Sequence, residues 1–591
     1  MKTADFFVDR LKAWGVSRIF GYSGDGINGV IGALQRDGEI DFIQPRHEEM
    51  AAFMAVAHAK FTGELGVCLA TGGPGATHLI TGLYDAKLDH MPVLAICGQA
   101  ETTVRGASYQ QEMNLDRMFA DVAEYVQEVS HPAQLPHVVD RAIRLAIARR
   151  GPAVIILPKD VQEQAFRPPA REHGFTRSGP GYSRPIVVPA EADVRRAAAV
   201  LNAGEKVAIL IGAGAKDAVD EVIEVAEKLG AGVGKALLGK CVLPDDLPFV
   251  TGCIGLLGTK PSSDLMNGCD TLLIIGSGFP WSEFLPKTDA ARAVQIDIEP
   301  AMLSLRYPCE VNLHGDAAET LRILLPLLKE KDRSWRDEIE QSLKDWWGAL
   351  EARAMTKAHP VNPQRVVWEM SPRLPDNAIV TSDSGSCANW YARDYRVKRG
   401  QISSLSGGLA SMGAAVPYAI GAKFAHPDRP VIALVGDGAM QMNNMAELIT
   451  VAKYKDRWPD KRLVTCVFNN EDLNEVTWEQ RVMNGNPRYD ASQDIPDVRY
   501  SGFAELIGLR GIYVDDPDDL AAAWDEALSA EDPVVLEVKT DPEIAPLPPH
   551  ISFKEARQFM FSMAKDADAG HVIADTARQI ANAVFAKEKA D

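Results

Sequence analysis

The chain has 591 residues, 46% of them hydrophobic and 24% charged, with a formal net charge of −19. That length calls for several cores, the composition excludes a disordered chain, and an acidic balance without any long basic block excludes a nucleic-acid backbone as partner. No apolar run reaches the roughly 20 residues that span a bilayer, and Met1 to Gly15 mixes Asp and Arg with apolar residues at helical spacing, so a cytoplasmic protein is expected.

Short β-branched runs alternate with helical patterns along the chain, at 67–71, 93–97, 153–157, 207–211, 271–275, 431–435 and 464–468. Strands this apolar are buried on both faces, which predicts an α/β fold of doubly wound parallel sheets. The Pro-, Gly- and Arg-rich stretch 166–185 reads as an exposed linker, and a second break at 351–363 follows a helical stretch containing Trp346 and Trp347. Three sheet domains follow, at 1–165, 188–345 and 363–545, with a helical C-terminal tail at 546–591. The 8 cysteines are scattered without a C-x-x-C pair, which favours buried reduced thiols over a disulfide framework or a metal site.

In the first domain, Arg46-His47-Glu48-Glu49 opens a helical stretch of Met, Ala and Phe. Taken alone, the two glutamates are an acidic first turn favoured by the helix dipole. In the middle domain, the strand at 207–211 runs into Gly212 and Gly214, without the third glycine of a G-x-G-x-x-G. The third domain carries the sharpest signal. Gly436, Asp437 and Gly438 follow the strand at 431–435, and Asn469 and Asn470 follow the strand at 464–468. Both clusters therefore sit at carboxyl ends of parallel strands, where open α/β sheets bind ligands. Glycines let the backbone approach a phosphate, helix N-termini supply N–H groups to it, and Asp437 with Asn470 offers hard oxygen ligands suited to Mg2+ held against a diphosphate.

This pairing resembles the thiamine diphosphate motif, in which Mg2+ anchors the diphosphate. By that match Asp437, Asn470 and the backbone carbonyl of Asp472 are metal ligands, and Gly436, Gly438 and Ala439 lie along the diphosphate; the gap is lengthened by the polar insert 456–461, which an exposed loop absorbs. Residues 46–49 and 67–99 resemble the pyrimidine-binding domain of the pyruvate oxidase and acetohydroxyacid synthase group, a match covering essentially all of 1–165. The resemblance makes Glu48 the catalytic glutamate at the aminopyrimidine and puts His78 and Gln111 on the substrate side, although Gln110 stands where the family often has an aromatic. The segment 406–422 resembles the part that receives the aminopyrimidine, through Ala410 and Ser411, with Met412 propping the bent cofactor.

The middle-domain segments at 236–240, 276–284, 294–300 and 313–321 resemble those of FAD-bearing pyruvate oxidases and pyruvate:quinone oxidoreductases. That implies an extended FAD near Gly212, Gly214, Gly276, Ser277, Gly278 and Phe279, with Asp297 towards the ribose or adenine end and Asp316 close by. Leu238 replaces an Arg common in relatives. Asn474 and Glu475 replace a Gly and an aromatic, and Glu479 matches an acid of the phosphate-using oxidases. The domains are then pyrimidine-binding, central FAD-type and diphosphate-binding.

The implied activity is decarboxylation of a small 2-oxo acid, pyruvate by default, with thiamine diphosphate and Mg2+ and onward oxidation by FAD. Its rivals are an acetohydroxyacid synthase-type carboligase with a non-redox FAD, and a non-catalytic scaffold. A homo-oligomer is expected, at least a dimer and by family pattern a tetramer, with each site shared between the first domain of one subunit and the third of another. Phe553, Phe559 and Phe561 near Lys554 and Arg557 keep a weak peripheral membrane contact through the tail in view, but acidic residues interrupt the basic face and a helix packed on its own domain is preferred.

Overall fold

The computed structural model of the chain describes residues 1–168, 176–546, 558, 559 and 562. Three six-stranded sheets, all parallel, follow one another along the chain. The first contains β1 (Arg18–Gly21), β2 (Asp41–Ile43), β3 (Gly66–Ala70), β4 (Val93–Gln99), β5 (Tyr125–Glu128) and β6 (Pro152–Pro158), in the order β2-β1-β3-β4-β6-β5. The second contains β7 (Val207–Ile211), β8 (Gly232–Lys235), β9 (Val250–Cys253), β10 (Thr271–Ile275), β11 (Arg292–Asp297) and β12 (Val311–His314), in the order β12-β11-β10-β7-β8-β9. The third contains β13 (Ile379–Ser382), β14 (Ile402–Leu405), β15 (Val431–Gly436), β16 (Leu463–Asn469), β17 (Arg510–Val514) and β18 (Val534–Lys539), in the order β14-β13-β15-β16-β18-β17.

Each apolar run named from the sequence forms a strand, the first stopping one residue short at Ala70, and these strands are buried along almost their whole length because helices cover both faces of the parallel sheets. All 8 cysteines are free, and most are buried in these sheets and the helices against them. Residues 176–185 form no regular structure and are largely exposed, as a linker requires, while 169–175 fall outside the described residues.

The first and third sheets share one core, and the middle sheet has its own. The shared core is centred where the helix Glu48–Thr62 crosses the helix Ala415–Ala425. Gly421 makes that crossing close, since a Cβ added there would lie 2.7 Å from Ala57 Cβ and 2.8 Å from the Met54 carbonyl.

The insert 456–461 is more than the exposed loop expected from its polarity. Trp458 is buried edge-to-face against Phe424 at 5.6 Å, and Arg457 pairs with Asp41 of the first domain at 2.7 Å. One indole supplies enough apolar surface to seat an otherwise polar segment. In the tail, Phe559 stacks on Trp478 at 6.0 Å, whereas Phe553, Lys554, Arg557 and Phe561 lie outside the described residues. No helix among the described residues is long and apolar enough to cross a membrane.

Candidate active site

In the third domain the chemistry gathers where β13, β15 and β16 end. Asp437 turns its carboxylate onto the loop after β16: Oδ2 accepts the N–H groups of Asn470 at 2.9 Å and Glu471 at 2.6 Å, and Oδ1 accepts that of Gly438 at 2.8 Å. The side chain is 2% exposed, and burial pushes its carboxyl up to about 7 despite these bonds, so a charged Asp437 calls for a cation. Asn470 Oδ1 accepts the Asp472 N–H at 3.1 Å. The Asp472 carboxylate faces away towards Thr477 and Arg488, each at 2.9 Å, so its carboxylate is engaged elsewhere and the backbone carbonyl is the group left to consider as a ligand.

A Cβ added at Gly436 would meet no atom within 4 Å, which leaves open room beside Asp437. At Gly438 an added Cβ would lie 2.8 Å from Leu473 Cδ2 and 3.4 Å from Met412 Cε, placing Met412 directly beside the Asp437 turn. The segment carrying Met412 is held by Asp383, whose buried carboxylate accepts the N–H groups of Gly413 at 2.7 Å and Ala415 at 3.2 Å and the Asn444 amide at 2.9 Å. Ala410 is left-handed, at φ 54°, so this segment is held out of ordinary extended geometry.

In the first domain Glu48 opens its helix and His47 caps it, Nδ1 accepting the Glu49 N–H at 3.3 Å. His78 ends the short helix Pro74–His78 after β3, and its Nδ1 lies 2.9 Å from Glu48 Oε2. Gly73 and Gly75 bring the β3 turn against the same group. A Cβ at Gly75 would sit 3.2 Å from Glu48 Oε1, and one at Gly73 would sit 2.8 Å from Gln111 Cβ. The structure therefore gathers Glu48, His78 and Gln111 around one glycine turn.

The strand order of the middle sheet reverses between β7 and β10, which opens the crevice where open α/β sheets take dinucleotides. Its strand order is that of a dinucleotide-binding sheet even though the third fingerprint glycine is missing. Gly212 and Gly214 line this crevice against Gly276, with N–H bonds to the Ile275 and Gly276 carbonyls at 3.0 Å each. A Cβ on Gly212 would come within 2.3 Å of the Gly276 carbonyl, so the close approach requires glycine. Ser277 and Phe279 are buried beside it, and Gly278 faces Met302. Asp297 ends β11, where burial raises its carboxyl, with Arg150 and His90 of the first domain nearby. Asp316 instead anchors the linker, accepting the Val187 N–H at 2.7 Å. Leu238 packs against Gly407 of the third domain, an apolar contact.

Three family models match this arrangement in order: residues 1–118 match the N-terminal binding domain of thiamine pyrophosphate enzymes, 194–324 the central domain and 383–538 the C-terminal binding domain. The chain belongs to the thiamine pyrophosphate enzyme family. It is 37% identical to YdaP of Bacillus subtilis, whose name assigns it thiamine pyrophosphate, over 94% of both chains. It is 31% identical to a pyruvate oxidase of Lactiplantibacillus plantarum over 89% of this chain and 86% of the relative. It is also 31% identical to the acetolactate synthase isozyme 3 large subunit of Escherichia coli, over 90% of this chain and 92% of the relative.

Within this thiamine pyrophosphate enzyme, a polar network that motif reading missed ties the first domain to the segment bearing Met412. Asp85 accepts the Ser406 hydroxyl at 2.7 Å and the Tyr418 hydroxyl, and Ser406 Oγ in turn accepts the Ser411 N–H at 3.0 Å. Asp89 accepts the N–H groups of Gly407 at 3.0 Å and Gly408 at 2.6 Å, and Lys60 pairs with it at 2.6 Å. Burial pushes the Asp85 carboxyl up to about 6. Glu447 does similar work at the start of the Glu48 helix, accepting the Arg46 N–H at 2.7 Å. The signal available in the sequence was a pair of aspartates four apart, Asp85 and Asp89, in and just after the largely buried helix Ile80–Leu88, a pattern that costs too much unless both are bonded.

On the other side of the Asp437 turn, Glu475 accepts the Asn389 amide at 2.6 Å and Glu479 lies one helical turn on, largely exposed. Burial first and then the neighbouring Glu479 push the Glu475 carboxyl up to about 7. Arg393 fixes this corner to the middle domain by donating to the Leu256 carbonyl at 2.9 Å and the Gly258 carbonyl at 3.2 Å.

Proposed function

We propose that this enzyme decarboxylates a small 2-oxo acid, pyruvate by default, using thiamine diphosphate and Mg2+, and passes the released electrons to FAD. The observation that carries the reading is Asp437 folded onto Asn470 and Glu471 at the ends of adjacent strands, a buried carboxylate beside open space. Asp437, Asn470 and the Asp472 carbonyl would hold Mg2+ against the diphosphate, and Ala410 to Met412 would support the pyrimidine end. Glu48 would hold a proton at the pyrimidine ring nitrogen, with His78 orienting its carboxylate. Gln111 and Glu479 would line the substrate side. When bound, thiamine diphosphate supplies a cationic ring that accepts the electrons released with CO2, and FAD supplies a two-electron acceptor.

The glycine crevice between β7 and β10 supports the FAD half of the proposal. Each site draws Glu48 from one subunit and Asp437 from another, so the working form is a homo-oligomer, a dimer at least and a tetramer by family pattern. The second reading is a carboligase, favoured by equal identity to acetolactate synthase and pyruvate oxidase relatives. Anaerobic addition of pyruvate to protein loaded with thiamine diphosphate, Mg2+ and FAD separates the two. Bleaching of the flavin absorbance supports the oxidase, and acetolactate without bleaching replaces it with the carboligase.

A further inference from the structure

Beside Glu48 the structure assembles a donor set unlike that of the Asp437 turn. One ligating atom from each of His47, Glu48 and His78 lies within 4.8 Å of the other two. The imidazoles face each other, with ring centroids 4.3 Å apart, and His78 Nδ1 already lies 2.9 Å from Glu48 Oε2. The positions come from backbone that is fixed for other reasons: His47 caps a buried helix, Glu48 is its first residue, and His78 ends the helix after the glycine turn. The two histidine side chains are 40% and 41% exposed and that of Glu48 is 12% exposed, so an ion can enter and keep a water in its remaining position. A further carboxylate, Glu49 Oε2, stands 3.9 Å from His47 Nδ1, near enough to complete or support such a set.

We propose that His47, Glu48 and His78 form a site for a divalent transition metal of the Zn2+ class, separate from the oxygen-lined cation site at Asp437. Two imidazoles and one carboxylate suit Zn2+ or Co2+, whereas Mg2+ prefers oxygen ligands alone. Binding replaces the hydrogen between His78 Nδ1 and Glu48 by the ion, and that proton leaves to solvent. The consequence for activity rests on the assignment of Glu48 to the pyrimidine: a Glu48 that ligates metal cannot hold a proton for the cofactor, so transition metal and thiamine diphosphate exclude each other and the metal acts as an inhibitor.

The test uses full-length protein freed of thiamine diphosphate and divalent ions, with Co2+ as a visible-absorbing probe. One Co2+ per chain binds at micromolar concentration, Zn2+ displaces it, and the Asp437→Asn variant binds it unchanged. His47→Gln and His78→Gln each weaken binding at least about tenfold, and the double variant, checked for native circular dichroism, loses the absorption band. Equal binding by the double variant, or binding only at millimolar Co2+, overturns the site. Displacement of Co2+ by thiamine diphosphate with Mg2+ supports both the site and the placement of Glu48. Tight Co2+ binding that the cofactor does not displace upholds the metal site and overturns that placement, and absent Co2+ binding with an inactive Glu48→Gln variant does the reverse.

Discussion

The first and third domains run their strands in the same order, β2-β1-β3-β4-β6-β5 and β14-β13-β15-β16-β18-β17, yet place different chemistry on matching turns. After the third strand of the last domain comes Gly436-Asp437-Gly438, with a carboxylate beside open space; after the third strand of the first domain comes a turn through Gly72, Gly73 and Gly75, with no acid of its own. The helix entering each third strand reverses the arrangement. In the first domain it begins with Glu48, and in the last it is preceded by the apolar Met412. One sheet plan therefore supplies a shelf at its carboxyl edge, and a few turn residues decide whether the turn itself carries a buried carboxylate or leaves the acid to the preceding helix.

The comparison breaks most sharply by removing each acid in turn. Asp437→Ala is expected to weaken thiamine diphosphate binding by about 100-fold or more, because a diphosphate without its cation meets an uncompensated site. Glu48→Gln is expected to leave cofactor binding nearly intact and to lower kcat about 100-fold to 10,000-fold, as loss of a proton-holding group does. Calorimetric titration of the cofactor and initial rates check both, and exchanged phenotypes would undo the division of labour.

The next largest effect concerns what joins the two domains. Asp85→Ala leaves the Ser406 and Tyr418 hydroxyls without their buried acceptor and is expected to cost about 2–4 kcal/mol in denaturant unfolding. Its titration gives a subtler signature. The native carboxyl, pushed up to about 6 by burial from 3.8, binds its proton more tightly than the unfolded chain does. Stability from this group is therefore greatest at low pH, falls as pH rises from about 4 to about 6, and is level above, by about 1–3 kcal/mol in all. Asp85→Asn should remove that slope when unfolding midpoints are compared across the range.

The smallest expected effect sharpens the first-domain turn alone. A Cβ from Gly75→Ala would stand 3.2 Å from Glu48 Oε1, tight enough to shift the carboxylate by a few tenths of an ångström. We expect kcat to fall within about tenfold and stability to change by less than about 1 kcal/mol. The melting temperature and the rate, measured together, distinguish a displaced carboxylate from a damaged fold.

Much of this division is visible in the sequence. The runs 431–435 and 464–468 are buried on both faces, so composition alone marks them as central strands, and the acids and amides at their ends stand out against apolar surroundings. Edge strands are less legible: β12 alternates buried and exposed residues, and β17 has a single buried residue, Val514, so neither makes an apolar run. The contact of Glu48 with His78 spans 30 residues and depends on how a glycine turn is folded, which no local pattern encodes. Asp85 finds Ser406 across 321 positions, and Arg457, paired with Asp41, turns a polar insert seated by Trp458 into an inter-domain clasp; both are decided by tertiary packing rather than by local propensity.

The central claim is that one cofactor takes its acid from the first domain of one subunit and its metal ligands from the third domain of another. The most direct measurement is the 2-oxo acid decarboxylation rate of mixed oligomers made by co-expressing Glu48→Gln and Asp437→Ala chains, each inactive by itself. If each site is shared, a mixed pair has one site carrying both lesions and one carrying neither, and activity returns with cofactor bound. If both groups act within a single chain, every site stays broken, and mixed oligomers with no activity would contradict the account.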